Sequence, residues 1–217
     1  MVLKSNLFFL AILFVFNYSI AQSNSHSIND IDSVDRFRLS FPVIILSNIG
    51  SGGERTNTQH IELHFKYNLD SKNIIGIKFA TWRLFQPMGI LWWDGLLDKI
   101  KTQTEFYPGY LRETGLGITY QRMLWKALFA TVEVLPLYKT YLDSDKNKIA
   151  NEFKLYKSLH LGYHISLGKK KRFFIEPQIH SQIWVFDTNT PDGFKELDDK
   201  WRNYFLFEPN LYLGVKF

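Results

Sequence analysis

The sequence predicts an all-β protein that folds as a closed antiparallel barrel of about eight strands. Apolar and polar residues alternate with a period of two along eight segments, and the connections between these segments alternate in length. No segment has the periodicity of a helical domain. Successive side chains of a strand point to opposite faces, so each segment has one apolar and one polar face. We therefore expect a sheet that separates two different environments.

The strands are recognised by this alternation. The clearest segment alternates apolar Ile61, Leu63, Phe65, Tyr67 and Leu69 with polar His60, Glu62, His64, Lys66 and Asn68. The eight predicted strands span 36–46, 60–69, 74–84, 111–122, 127–138, 153–167, 173–186 and 205–217. Each is at least as long as the roughly 9 to 11 residues that a tilted strand needs to cross a membrane.

The predicted connections are alternately long and short. The long ones span 47–59, 85–110, 139–152 and 188–200, and the short ones span 70–73, 123–126 and 168–172. Membrane-spanning barrels have short periplasmic turns and long external loops. The pattern therefore predicts a transmembrane barrel with both termini on the side of the short turns.

The beginning of the chain has the pattern of a secretory signal. Lys4 supplies a positive charge, residues 7–16 are apolar, and Ser19 and Ala21 are small residues at the positions that a signal peptidase needs. We expect a cleaved signal peptide over 1–21, a short flexible polar segment over 22–35 and the barrel over 36–217. The chain contains no cysteine, so disulfides and thiolate metal sites are excluded.

In the last predicted strand, 205–217, every second residue is apolar, and the strand ends on an aromatic residue, Phe217. Such a strand resembles the final strand of bacterial outer-membrane β-barrels, and its terminal aromatic residue resembles the signal that the barrel-assembly machinery reads. The mature chain resembles the small eight-stranded OmpA and OmpX type in architecture. This resemblance implies a porin-like protein of the Gram-negative cell envelope, located in the outer membrane in contact with its lipids and lipopolysaccharide.

The charge balance does not indicate a nucleic-acid partner. The net charge is +5, with 26 Lys and Arg against 21 Asp and Glu. The basic residues are scattered along the chain, and the predicted export signal argues against nucleic acid as a partner.

The polar faces of the strands are expected to line the barrel interior. Eight strands enclose a lumen that side chains can fill, so ionic groups there must pair or stay hydrated. The predicted interior network contains Arg38, Glu62, His64, Lys66, Lys78, Glu133, His160, His164, Glu176, His180 and Glu208. Histidines four residues apart on one strand lie about 13 Å apart, so one strand cannot chelate a metal with both. We expect neither a metal nor a cofactor.

An enzymatic alternative rests on His164-Ile165-Ser166. This tripeptide resembles the His-x-Ser pair of the outer-membrane lipid A deacylase family, in which a serine nucleophile and a histidine base share a face. The Asn that follows the serine in that family is replaced by Leu167. The alternation directs His164 and Ser166 into the lumen.

The longest connection contains an apolar group formed by Trp92, Trp93, Leu96, Leu97 and Ile100. Trp93, Leu96, Leu97 and Ile100 have helical spacing, which favours an amphipathic helix on the outer leaflet or over the barrel mouth. An aromatic loop cluster, or a binding patch for an extracellular partner, fits the same residues. The sequence thus favours a nonenzymatic outer-membrane protein that presents loops for surface or envelope interaction. The alternatives are a lipid-modifying enzyme and a narrow channel or small-ligand carrier.

Overall fold

The computed structural model describes residues 36–48, 59–88, 106–185 and 189–217. The described strands are β1 (Phe37–Pro42), β2 (Ile61–Asn68), β3 (Asn73–Leu84), β4 (Tyr110–Trp125), β5 (Leu128–Leu142), β6 (Lys148–Tyr163), β7 (Ile165–Leu167), β8 (Phe173–Val185) and β9 (Tyr204–Lys216). A 3-10 helix, Val43–Asn48, follows β1, and helix α1, Asp192–Asp198, precedes β9. The predicted signal peptide, the 22–35 segment and the group from Trp92 to Ile100 lie outside the described residues.

The strands form a closed ring, which confirms the predicted all-β antiparallel barrel. Each strand from β1 to β5 pairs antiparallel with the next strand in the chain, and β6 pairs with β8. Strand β9 pairs with both β8 and β1, which closes the ring. The short β7 continues β6 after His164, because Gly162 opposes Gln178 and Ile165 opposes Ile175 in the same register. The wall therefore has eight strands, with β7 as an additional short piece.

Up-and-down connectivity divides the connections between two ends of the barrel. The turn end carries the short connections 69–72, 126–127 and 168–172, and the loop end carries 43–60, 85–109, 143–147 and 186–203. At the turn end, the Asp70 side chain accepts hydrogen bonds from the backbone amides of Lys72 and Asn73 at 2.7 and 2.8 Å. Although burial opposes the shift, hydrogen bonds from Asn73 and Lys72 lower the pKa of Asp70.

Three predicted strand boundaries are wrong: the end of the first strand, the end of the fifth and the beginning of the sixth. The predicted loop 139–152 is mostly strand, because β5 and β6 remain paired through Tyr141 and Ala150 and only the turn Asp143–Asn147 connects them. Asp143 stabilises this turn by accepting hydrogen bonds from the amides of Asp145 and Asn147 at 2.9 and 2.8 Å. The first strand is shorter than predicted, because the chain enters a 3-10 helix at Val43.

The last strand departs from strict alternation. His180 opposes Glu208 whereas Gln182 opposes Phe205, so Leu206 and Phe207 together face one residue of β8. This β-bulge needs a positive backbone φ of 61° at Phe207. Phe205 consequently points inward and is buried, while Phe207 is 72% exposed on the outside. The prediction that both residues lie on one outer face is wrong.

The two faces of the wall have opposite character. The outer face is apolar over most of its height, and its exposed residues include Phe37, Leu39, Ile61, Leu63, Phe65, Ile75, Ile77, Phe79, Leu116, Ile118, Phe153, Leu161, Ile165, Phe173, Ile179 and Leu211. The inner face buries charged side chains, among them Glu62, Lys66, Lys78, Glu113, Glu133, Lys139, Glu152, Lys154 and Glu176. Water-soluble globular proteins usually distribute their residues in the reverse way.

Two aromatic rings pack inside the turn-end half of the lumen. The buried rings of Phe129 and Phe174 lie where the opposing strands have glycines. A Cβ atom on Gly162 would lie 2.5 Å from the Phe129 ring, and one on Gly214 would lie 2.2 Å from the Phe174 ring. These glycines therefore allow large rings to fit inside a narrow barrel.

Part of the loop end is covered by α1. The buried Phe194 side chain packs against Tyr107, Leu111 and Tyr141. The Tyr107 hydroxyl donates to the Asp198 carboxylate, and burial together with that negative charge raises the pKa of Tyr107 well above its ordinary value. Within the part of the chain that the structure describes, no helix is long and apolar enough to cross a membrane.

Candidate functional site

The polar side chains of the lumen are brought together by strand register. His64 opposes Lys78, His160 opposes both Thr131 and His180, and His180 opposes Glu208. Residues at every second position of a strand share a face, so these cross-strand pairs form layers across the lumen. Three such layers of buried ionic groups occur in the described barrel, and we call them the central, turn-end and loop-end layers.

The central layer is built around Lys78. Its ammonium lies 2.8 Å from Glu133 Oε1 and 3.1 Å from Glu62 Oε1. Glu62 Oε1 also lies 2.8 Å from His64 Nε2 and accepts a hydrogen bond from the Tyr212 hydroxyl at 2.5 Å. All these groups are buried, so the charges are compensated by one another rather than by solvent.

The turn-end layer is centred on Glu176, whose side chain has no solvent exposure. Its carboxylate lies 3.1 Å from Lys66 Nζ, 2.9 Å from His164 Nδ1 and 3.8 Å from Arg38. Lys66 also donates to Gln121 at 2.8 Å. Three basic side chains from three strands therefore surround one carboxylate.

The loop-end layer was not predicted from the sequence. Lys154 Nζ lies 3.0 Å from Glu113 Oε1, and Trp82 Nε1 donates to Glu113 Oε2 at 2.7 Å. Lys139 Nζ lies 3.7 Å from Glu152 Oε1. On β4, Glu113 lies an even number of residues from Thr119 and Gln121, so it shares their inward face. On β5, Lys139 shares the inward face of Thr131 and Glu133 for the same reason. Glu113 and Lys154 lie at inward positions within the predicted strands 111–122 and 153–167, whereas Lys139 and Glu152 lie in the predicted loop 139–152.

A cavity of about 370 Å³ lies in the loop-end half of the lumen. The central layer contributes Glu62, Lys78 and His160 to its lining. Polar residues of β8 and β9 form one wall: His180, Gln182, Glu208 and Asn210. Four aromatic side chains also line the cavity: Trp82, Tyr156, Phe205 and Tyr212. Towards the loop end the lining becomes apolar, with Leu84, Phe85, Pro87, Met88 and Phe106.

The cavity wall holds polar atoms without a partner among the described residues. His180 Nε2 lies 2.6 Å from Glu208 Oε2, and Gln182 Nε2 donates to the same carboxylate oxygen at 2.9 Å. His160 Nε2 contacts Ser158 Oγ at 2.8 Å. Within the described chain, the buried Nδ1 atoms of His160 and His180 have no hydrogen-bond partner. Buried polar atoms normally have one, but these two ring nitrogens have almost no accessible surface, so they do not open onto the cavity.

His164 and Ser166 lie at the turn end, outside this cavity lining. His164 Nδ1 is 2.9 Å from Glu176 Oε1, and its Nε2 is 3.2 Å from Ser166 Oγ. The Lys216 ammonium donates to Ser166 Oγ at 2.9 Å. A carboxylate, a histidine and a serine therefore lie in the order that nucleophilic catalysis uses. Sequence reasoning proposed the His–Ser pair but did not assign Glu176 to it.

Phe217 lies on the outside at the turn end. Its backbone exchanges two hydrogen bonds with Phe37, each of 2.9 Å, and its ring lies 6.0 Å from the Phe37 ring. The predicted loop-interaction residues Trp92, Trp93, Leu96, Leu97 and Ile100 lie outside the described residues. Among the described residues, no three His, Asp or Glu side chains lie close enough together to hold a metal ion.

Comparisons of the chain with protein-family models, curated proteins and solved structures gave no match.

Proposed function

We propose that the chain is an outer-membrane β-barrel protein that presents its loop end for surface or envelope interaction. The observation that carries this proposal is the reversed distribution of residues, with an apolar outer face around an ionic lumen. Exposed Ile77 and Ile118, for example, oppose each other on the outer face of β3 and β4, while neighbouring Lys78 is buried inside. In water such an outer face would expose a large apolar surface, whereas lipid would solvate it.

The closed ring supports a location in lipid. A hydrocarbon environment offers no hydrogen-bond partners to a sheet edge, and ring closure through the β1–β9 and β6–β8 pairs leaves no edge strand in the described wall. Short connections at the turn end and longer ones at three positions of the loop end support an orientation with the loop end outward.

Heat-modifiable gel migration tests the proposal. Membrane fractions are run boiled and unboiled for the wild type and for a variant that lacks Phe217. We expect the unboiled wild type to migrate differently and to be recovered in the outer membrane, and we expect the deletion to reduce assembly, because Phe217 resembles an assembly signal. A protein that stays soluble in the periplasm and does not shift would refute the proposal.

A second candidate function is ester hydrolysis at the turn end, favoured by the Glu176–His164–Ser166 arrangement. His164 Nε2 would accept the proton of Ser166 as the serine oxygen attacks an ester carbonyl, and would return it to the departing alcohol, while Glu176 holds the ring through Nδ1. Water, deprotonated by the same nitrogen, would then attack the acyl-serine, release the carboxylic acid and restore Ser166. The ion pairs of Glu176 with Lys66 and Arg38 oppose this role, because they already neutralise the carboxylate.

Turnover of a fluorogenic acyl ester by the refolded barrel tests the second candidate. Hydrolysis would fall at least about 100-fold in Ser166→Ala if Ser166 is the nucleophile. Ser181→Ala, which changes a serine of β8 outside this cluster, serves as the matched control. Equal rates in the wild type and in Ser166→Ala would exclude the mechanism.

A further inference from the structure

We propose that the loop-end cavity binds a small organic cation that has an apolar body, such as an aromatic primary amine. This inference goes beyond the proposed function, and it depends on the cavity rather than on the location of the barrel. The cavity volume of about 370 Å³ falls in the range of small-molecule sites, roughly 300 to 1,000 Å³.

The charge of the lining favours a cation. The described lining residues include two carboxylates, those of Glu62 and Glu208, and one ammonium, that of Lys78. Lys78 is already shared between Glu62 and Glu133. Glu208, by contrast, contacts only His180 and Gln182 in the described hydrogen bonds, and about a quarter of its side chain, 26%, is exposed.

The hydrogen-bond inventory favours a donor. Among the described hydrogen bonds, both contacts of the Glu208 carboxylate, with His180 and with Gln182, are made by Oε2. An ammonium has three donors and no acceptor, so it could donate to the other oxygen of this carboxylate, Oε1.

The remaining walls suit an apolar or aromatic body. The rings of Trp82, Tyr156, Phe205 and Tyr212 line the cavity, and such rings attract cations through their negative faces. Leu84, Phe85 and Met88 line it nearer the loop end. A ligand would therefore place its ammonium beside Glu208 and its apolar part among these side chains.

Calorimetric titration of the detergent-refolded barrel with three matched probes tests the proposal. The probes are 2-phenylethylamine as the cation, 2-phenylethanol as the neutral analogue and phenylacetate as the anion, each corrected with a titration into empty micelles. We expect the amine to bind at least about 10-fold more tightly than the alcohol, and the anion to bind weakest. Equal affinity for amine and alcohol, preference for the anion, or no binding of the amine would overturn the proposal.

Three variants locate the binding site. Glu208→Gln keeps the shape but removes the charge, so amine affinity should fall about 10-fold while alcohol affinity stays the same. Gln182→Lys places an ammonium next to Glu208 and should abolish amine binding. Glu196→Gln removes an exposed carboxylate of α1, 78% exposed, and should leave binding unchanged.

Gel migration confirms that each variant folds. If Glu208→Gln fails to fold, the ranking of the three probes on the wild type decides the question. Unchanged amine affinity in folded Glu208→Gln and Gln182→Lys would overturn the proposal. Because the assay uses purified barrel, failure here is distinguishable from failure of the outer-membrane proposal.

Discussion

Lys78 illustrates how single residues hold the lumen together. It is 4% exposed and lies between the carboxylates of Glu62 and Glu133, at 3.1 and 2.8 Å. A buried ion pair adds little net stability compared with an apolar replacement of the whole pair, but removing one partner leaves an uncompensated buried charge. Lys78 is therefore a position where one substitution has a large effect.

We expect Lys78→Met to lower the free energy of unfolding by about 3 to 5 kcal/mol, because Glu62 and Glu133 lose their shared counter-ion. Urea unfolding in phospholipid vesicles, followed by tryptophan fluorescence, measures the change. The double variant Lys78→Met/Glu133→Gln should recover part of the loss, since one carboxylate is then neutral.

The control for this experiment is Lys195→Met. Lys195 pairs with Asp199 at 2.6 Å, but both side chains are more than half exposed, at 56% and 64%. Exposed ion pairs contribute about 0 to 1 kcal/mol, so the change should be small. Similar losses at Lys78 and Lys195 would contradict a buried, solvent-excluded central layer.

The turn-end and central residues could be anticipated because the period of two assigns each residue to a face. Glu62, Lys66, Lys78, Glu133 and Glu176 are buried inside. Sequence alone does not say which of them pair, because Lys66 and Glu176 lie on strands far apart in the chain and meet across the lumen. Their contact depends on ring closure.

At the scale of elements, the β5–β6 hairpin extends well beyond the predicted strands. Lys139 and Glu152 were expected in a loop, yet they oppose each other in the ladder. Charged and polar residues near 143–148 resemble a loop in composition, but only 143–147 form the turn, and both strands continue up to it. Pairing between the two strands, rather than composition, determines where the hairpin ends.

Amide hydrogen exchange distinguishes a ladder from a loop. We expect slow exchange for ladder amides of residues 139–142 and 149–152, because the strands are paired there, and fast exchange within the turn Asp143–Asn147. Mass spectrometry of peptic fragments from the refolded barrel measures both. Uniformly fast exchange over 139–152 would contradict the extended hairpin and restore the predicted loop.

The bulge in β9 has a similar origin. Strict alternation from Phe205 to Phe217 would expose Phe205, whereas Phe205 packs its ring 5.5 Å from that of Trp184 inside the barrel. Because the bulge inserts one extra residue, the residues of β9 that precede it point to the face opposite to the one that strict alternation predicts. Both Phe205 and Phe207 are apolar, so the pattern contains no signal for the change of register.

At the scale of the whole molecule, the surroundings of the apolar outer face determine how much an arginine on that face destabilises the barrel. Ile77 is 51% exposed in the middle of β3. In a bilayer, Ile77→Arg should cost about 2 to 4 kcal/mol, because an arginine near the midplane of the lipid face is poorly solvated. Urea titration of the barrel folded into phospholipid vesicles measures this cost.

The matched control is Ile149→Arg. Ile149 is 49% exposed but lies next to the turn at the tip of the β5–β6 hairpin. We expect a cost of about 0 to 1 kcal/mol there, since the proposed orientation puts this tip at or beyond the membrane interface. Equal, small effects at Ile77 and Ile149 would indicate a water-exposed wall and contradict the membrane proposal.

The sequence by itself determined the all-β class, the approximate number of strands and the two faces of most strands. Each of these follows from local alternation, because the direction of a side chain in a strand depends only on its position. The tertiary structure alone decided the bulge at Leu206 and Phe207, the ion pairs between distant strands and the cavity beside Glu208. These features depend on register and ring closure, which bring together residues that are remote in the chain.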